Sequence, residues 1–171
     1  MPHLYVCPLS QIAQKVEETG ARSLVTFINV GTPVVRPPAI AAHRHVFVGM
    51  SDILKPQDGH VLPGQVHVQT LLDFMTEWDR NAPVLIHCYA GVSRSTAAAF
   101  ISACALNPAR DEHAIAQTIR TLSPTATPNA KLVEVADAML KREGRMIAAI
   151  AAIGRGEDCY EGVPFALSLQ D

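Results

Sequence analysis

Two residues with complementary chemistry, Cys88 and Arg94, lie close together in the chain with five residues between them. An apolar run, Val84-Leu85-Ile86, precedes the cysteine, and an alanine-rich segment typical of a helix follows the arginine. A strand that turns through a short loop into a helix leaves several backbone N–H groups without partners, and these point into one concavity. The sequence therefore predicts an anion-binding loop with a sulfur nucleophile at one end and a guanidinium fork at the other.

The surroundings of Cys88 favour the thiolate, which is the nucleophilic form of cysteine. The helix dipole, the neighbouring guanidinium and the loop amides all stabilise a negative charge at this position. Gly91 can adopt a positive φ angle or let the backbone approach a ligand closely. His87 and the hydroxyls of Ser93 and Ser95 can add hydrogen bonds. We therefore expect an oxyanion to be held directly above a reactive sulfur.

The composition is that of an ordinary globular chain. With 171 residues, of which 49% are hydrophobic, one domain spanning 1–171 is the default expectation. The net charge of −2 gives no reason to expect nucleic acid or an anionic membrane as a partner. The four cysteines lack the spacing of a zinc site or a disulfide framework, so no metal site is predicted. The N-terminus lacks the pattern of a secretory signal, and a reducing cytoplasm is the expected location.

Short apolar segments alternate with amphipathic ones along the first half of the chain. The pattern predicts strands at 4–7, 23–30, 45–49 and 83–87. It predicts helices at 9–18, from Val66 to Trp78, and at 93–106, 112–122, 129–142 and 146–153. The packed face of the second of these helices is expected to carry Val66, Leu71, Leu72, Met75 and Trp78. This alternation indicates an α/β sandwich with a mostly parallel central sheet flanked by helices. The tail at 157–171 is a mixed segment that could dock on its own domain or on a partner.

The run His87-Cys88-x-Ala90-Gly91-x-Ser93-Arg94-Ser95 resembles the signature of the cysteine-dependent protein tyrosine and dual-specificity phosphatases. The nearest likeness is to small bacterial proteins predicted to be tyrosine phosphatases. It extends to Asp52-Ile53 and to 123–129, although these flanking segments are less specific than the loop motif. The resemblance implies a phosphatase-like sandwich over most of the chain and a hydrolase that forms a phosphocysteine without a metal or an organic cofactor.

The resemblance also implies a role for each residue of this motif. Cys88 is the expected nucleophile, Arg94 the phosphate-binding fork and Asp52 the general acid, while the Ser95 hydroxyl stabilises the sulfur as it leaves. His87 is expected to orient the loop through hydrogen bonds rather than to transfer a proton. The residues expected to hold the phosphate are Tyr89, Ala90, Gly91, Val92, Ser93 and Arg94.

Two of these assignments have alternatives, and so has the role of Asn129. Asp58 competes with Asp52 as the acid, but it lies in a flexible turn, and a strand end positions a side chain better than a loop tip. Ser95 could be an ordinary first-turn residue of a helix. Asn129 resembles an asparagine that braces the phosphate loop in dual-specificity enzymes, but a plain helix cap explains it equally well.

The expected substrate is a phosphorylated protein or a small phosphomonoester. Met50-Ser51-Asp52 stands where the larger tyrosine phosphatases carry Trp-Pro-Asp, so the preference between phosphotyrosine and phosphoserine or phosphothreonine stays open, as does the oligomeric state. A catalytically silent phospho-binding module would use the same loop without turnover. An arsenate reductase or a sulfurtransferase also uses a cysteine in an anion loop, but Cys104 is poorly placed to resolve a redox intermediate.

Overall fold

The computed structural model describes residues 2–170, so Met1 and Asp171, the two ends of the predicted domain, lie outside the described residues. The strands are β1 (His3–Pro8), β2 (Ser23–Ile28), β3 (His45–Gly49), β4 (Val84–Cys88) and β5 (Phe165–Ser168). The helices are α1 (Ile12–Thr19), α2 (Gln65–Glu77), α3 (Arg94–Leu106), α4 (Glu112–Leu122), α5 (Ala130–Met139) and α6 (Arg145–Ile153). None of the helices within 2–170 is long and apolar enough to cross a membrane.

The strands form one sheet in the order β3-β2-β4-β1-β5. All neighbouring pairs are parallel except β1 and β5, which are antiparallel. The predicted α/β fold with a mostly parallel central sheet is therefore confirmed. The chain runs outward from β2 to β3 and then returns to place β4 on the other side of β2. Such a reversal of strand order opens a crevice at the carboxyl ends of the strands, and ligands of open α/β sheets bind there. The carboxyl end of β4 lies at this point.

Helices cover both faces of the sheet. On one face α1 packs Ile12 and Val16 against Leu24 and Leu85 of the two central strands. On the other face lies the larger apolar core, whose central element is α3. Every residue of α3 from Arg94 to Cys104 is buried, and its small alanine side chains let the helix backbone approach the sheet closely. The first residues of α3 are thereby fixed directly below the end of β4.

The predicted elements are present, with corrections at two points. The α5 helix ends at Met139, three residues before the predicted boundary at 142. Val66 was expected on the packed face of α2, and this is wrong, because the side chain is 77% exposed. It precedes Leu71 by five positions, which places it roughly 140° around the helix from that buried leucine.

The C-terminal segment docks on its own domain and contributes a strand that the sequence pattern did not predict. In β5, Phe165 pairs with Val6 and Leu167 pairs with Leu4 of β1. The Leu167 side chain is fully buried. The segment therefore covers an edge of the sheet that would otherwise expose unpaired backbone groups.

Candidate active site

The Cys88 loop, residues 89–93, joins β4 to α3. Its carbonyl groups accept hydrogen bonds from residues outside the loop. The donors are four backbone N–H groups from three separate segments: Leu9 to Tyr89 O (3.0 Å), Gly162 to Ala90 O (2.8 Å), Thr127 to Val92 O (2.9 Å) and Asn129 to Ser93 O (3.1 Å). In a trans peptide the C=O and the following N–H point in opposite directions. The N–H groups of residues 90, 91, 93 and 94 are therefore turned to the inside of the loop, where an oxyanion would accept from them.

Gly91 is the tightest point of this loop. Its φ angle is +71°, and a Cβ atom there would lie 2.8 Å from Pro8 N and 2.9 Å from Cys7 C. No real side chain fits at such distances from backbone atoms, so β1 packs directly against the loop only because this residue is glycine.

The sulfur of Cys88 lies at the base of the loop, and its side chain is buried. Cys88 Sγ is 3.1 Å from Ser95 Oγ and accepts a hydrogen bond of 3.3 Å from the Gly91 N–H. Both groups can donate to a sulfur anion, and Ser95 also belongs to the positive first turn of α3. The position can therefore stabilise a thiolate.

Two other cysteines lie in different surroundings. Burial raises the pKa of Cys7 to about 12, and the nearby Cys88 adds to this effect. Burial likewise raises the pKa of Cys104 to about 12. Both thiols are protonated at neutral pH, so neither is a competing nucleophile.

The guanidinium of Arg94 is buried and fixed on one side only. Its Nη1 donates to Asn29 Oδ1 (2.7 Å) and to the Met50 carbonyl (2.8 Å). Asn29 directly follows β2, the neighbour of β4, and Met50 directly follows β3, the next strand out. Its Nε is buried and has no hydrogen-bond partner in the described part of the chain. A buried charged donor without an acceptor is costly, so this atom points to a ligand oxygen as its partner. The sequence patterns did not predict a role for Asn29, although a polar residue at the end of a buried strand can indicate a site residue.

The carboxylate of Asp52 is attached to the Cys88 loop. Ser93 Oγ donates to Asp52 Oδ1 (2.7 Å), and Asn129 Nδ2 donates to the same oxygen (2.8 Å). The Asn129 side chain also accepts from the Leu132 N–H (3.0 Å) and so caps α5. The Asn129 side chain therefore caps α5 and holds Asp52, whereas its contact with the Cys88 loop is made by the backbone N–H to Ser93 O. The Asp58 carboxylate, on an exposed turn, has no hydrogen-bond partner among residues 2–170.

His87 lies beneath the loop with no exposed surface. Its Nδ1 is 2.9 Å from the Cys88 carbonyl oxygen, and its Nε2 is 2.7 Å from Thr26 Oγ1. Burial lowers the pKa of His87 to about 4, and the positive charge of Arg94 contributes. The ring is neutral at physiological pH and suits a structural role better than proton transfer. Thr26 was also missed, because a threonine in an apolar strand carries no sequence signal of its own.

A cleft of about 250 Å³ opens beside the loop. It is lined by Asp52 and Ser93 together with Arg155 and Cys159 of the C-terminal segment. Tyr89 is 58% exposed. The arrangement brings together Cys88, Arg94, Ser95, Asp52 and Asn129, around a loop that can hold an oxyanion.

Comparisons with known proteins agree with this architecture. No family model and no curated protein sequence matches the chain. Human DUSP28 superposes with a TM-score of 0.61 at 16% identity over 81% of this chain and 94% of its own. The PTP-2 phosphatase of Cydia pomonella gives 0.62 at 21% identity over 79% and 84%. DUSP15 gives 0.62 at 14% identity over 90% and 91%. The chain therefore has the fold of the protein tyrosine and dual-specificity phosphatases, as the resemblance of the Cys88 motif predicts.

Proposed function

We propose that this protein is a metal-independent phosphomonoester hydrolase of the protein tyrosine or dual-specificity phosphatase type, acting through a phosphocysteine. The observation that carries the proposal is the buried, unpartnered Nε of Arg94, which follows a loop whose amides are turned inward above Cys88. A tetrahedral dianion with several oxygens satisfies these donors together.

In the first step the Cys88 thiolate attacks phosphorus in line with the leaving oxygen. The S–P bond forms as the P–O bond breaks, and the electron pair of that bond leaves with the oxygen. Asp52, protonated at the start, donates its proton to this oxygen. Arg94 and the inward N–H groups hold the equatorial oxygens and stabilise their charge.

In the second step a water molecule attacks the phosphocysteine. Asp52, now a carboxylate, accepts the proton of the water. The S–P bond breaks and Cys88 departs as a thiolate, stabilised by the Ser95 hydroxyl and the Gly91 N–H that already lie 3.1 Å and 3.3 Å from the sulfur. Inorganic phosphate is released, and no group other than these side chains and water is required.

The competing reading is a phospho-binding module without turnover. The two hydrogen bonds that tie Asp52 to Ser93 and Asn129 favour the enzyme, because a binder gains nothing from a carboxylate fixed beside a bound dianion. The proposed substrates are phosphorylated proteins or small phosphomonoesters. A thiolate mechanism also requires a reducing compartment, which the proposal takes to be the cytoplasm.

Hydrolysis of para-nitrophenyl phosphate in the presence of a metal chelator tests the proposal. The wild type should turn over, and Cys88→Ser should lose turnover while still binding inorganic phosphate. Cys104→Ser is the matched control. It makes the same change on α3, the helix that follows the loop, and should retain activity. A folded wild type that binds phosphate without hydrolysing any phosphomonoester would support the binding module instead.

A further inference from the structure

A chain of hydrogen bonds crosses three parallel strands beneath the Cys88 loop. His45 on β3 lies 2.8 Å from Thr26 on β2, measured from Nε2 to Oγ1. The same hydroxyl lies 2.7 Å from Nε2 of His87 on β4, and Nδ1 of that ring lies 2.9 Å from the Cys88 carbonyl. Thr26 and His87 are direct partners in the β2–β4 register.

Only one placement of the protons satisfies this chain. The Cys88 carbonyl can only accept, so His87 Nδ1 must carry a proton. The buried His87 ring is neutral, since its pKa is about 4, and its Nε2 is therefore an acceptor. The Thr26 hydroxyl donates to this nitrogen, and its oxygen is left to accept from the Nε2–H of His45.

The opposite tautomer of His87 would place the lone pair of Nδ1 against a lone pair of the Cys88 carbonyl oxygen. If His87 carried its proton on Nε2, its bare Nδ1 would face the Cys88 carbonyl oxygen at 2.9 Å. Two buried acceptors would then lack a donor, which is a costly arrangement in a site closed to water. The Cys88 carbonyl thus selects the Nδ1–H tautomer of His87, and the Thr26 hydroxyl supplies the donor that the bare Nε2 of this tautomer needs.

The selected tautomer acts on the first peptide of the loop. The Cys88 carbonyl is held by the His87 ring, just as the next carbonyls along the loop are held by backbone N–H groups from outside. Because the Tyr89 N–H belongs to the same peptide as the Cys88 carbonyl, fixing that carbonyl turns this N–H to the inside. His87 thereby completes the set of inward donors.

We propose that Thr26 and His45 are positioning residues for the Cys88 loop, which satisfy the bare Nε2 of His87, hold its ring so that Nδ1–H donates to the Cys88 carbonyl, and so keep the first peptide of the loop turned toward the bound oxyanion. This inference deepens the proposed function and rests on it for its catalytic consequence. The tautomer and the affinity for inorganic phosphate can both be measured without turnover.

Nitrogen-15 NMR of the histidine rings tests the assignment directly. In the wild type the His87 ring should be neutral with its proton on Nδ1. Thr26→Val, which has nearly the same shape without the hydroxyl, should shift the Nε2 resonance toward that of a nitrogen without a hydrogen bond and weaken binding of inorganic phosphate about threefold to tenfold, the value of one net hydrogen bond. Thr26→Ser keeps the hydroxyl and should keep both properties.

The His45 arm of the chain gives a second, independent variant. His45→Phe removes the outer donor and should produce a smaller shift of the same Nε2 resonance, while His45→Gln can still donate and should rescue it. A wild-type His87 with its proton on Nε2 would overturn the inference, as would an unchanged Nε2 resonance and phosphate affinity in both Thr26→Val and His45→Phe. If Thr26→Val does not fold, the wild-type spectrum and the His45 pair still decide. Absence of turnover with the Nδ1 tautomer intact would contradict the proposed function alone.

Discussion

Ser93 Oγ donates a hydrogen bond of 2.7 Å to Asp52 Oδ1, which joins the Cys88 loop to the segment after β3. This contact makes Asp52, rather than Asp58, the expected general acid. Asp52→Asn should lower kcat on para-nitrophenyl phosphate by roughly 100-fold and should lower it more on alkyl phosphates, whose leaving oxygens need a proton more.

Asp58→Asn is the matched control, because it makes the same change on an exposed turn of the same segment. Its kcat should stay close to that of the wild type for both substrates. Loss of activity in Asp58→Asn with an active Asp52→Asn would assign the acid to Asp58 instead.

The side chain of Asn29 holds Arg94 Nη1 at 2.7 Å. Asn29→Ala leaves the guanidinium with fewer anchors, and we expect the Kd for inorganic phosphate to rise about tenfold, the order of a hydrogen bond to a charged group. Isothermal titration calorimetry measures this directly. Asn81→Ala, on the exposed turn after α2, is the control, and equal losses in the two variants would contradict the role of Asn29.

Gly91→Ala should damage function more than its backbone angle alone explains. The φ angles of Gly91 and Gly59 are +71° and +75°, but only a Cβ at Gly91 meets other atoms, the backbone of β1. Each alanine costs about 1 kcal/mol for the left-handed backbone, so Gly59→Ala should lower Tm modestly and keep full activity. Gly91→Ala should lower Tm further and abolish phosphate binding, and a fully active Gly91→Ala would refute the packed loop.

Because His87 is buried, we expect the free energy of unfolding to fall at acidic pH. Burial lowers the pKa of this imidazole from its ordinary value of 6.5 to about 4. Between these values the unfolded chain binds a proton that the folded chain excludes, so the free energy of unfolding decreases as pH drops from 6.5 and levels off near 4. The full loss is of the order of 3 kcal/mol.

Urea denaturation across this range measures the effect. His87→Asn lacks a titrating ring, although its amide can still donate to the Cys88 carbonyl. Its stability should therefore depend less on pH than that of the wild type, whereas the remaining acidic groups contribute equally to both. Parallel curves for the two proteins would show that His87 is not excluded from protonation in the folded state.

Local patterns in the sequence predicted most of the fold. The buried β-branched run of β2 and the helix stop at Gly20, which has a φ angle of +70°, depend on neighbours in the chain alone. The β5 strand was not predicted, because its partner is β1, more than 150 positions earlier, and only the assembled sheet offers that edge. The exposure of Val66 was not predicted, because an apolar side chain at the start of a helix need not lie on the packed face.

The same limit applies to the site. The loop motif predicts Cys88, Arg94 and Ser95 as site residues because one short segment carries all of them. Asn29 and Thr26 act at the loop from a neighbouring strand and its end, and nothing in their own segment marks them as polar partners. Residues that join the site through strand order become visible only when the sheet is assembled.

The central claim is that the sulfur of Cys88 becomes phosphorylated during turnover. Rapid mixing with an aryl phosphate, an acid quench and mass spectrometry of the peptides should detect one phosphoryl group on the peptide that contains Cys88. The phosphorylated fraction should rise in Asp52→Asn if loss of the carboxylate slows the second step more than the first. Steady hydrolysis without any phosphorylated Cys88, or with full activity in Cys88→Ser, would contradict the account.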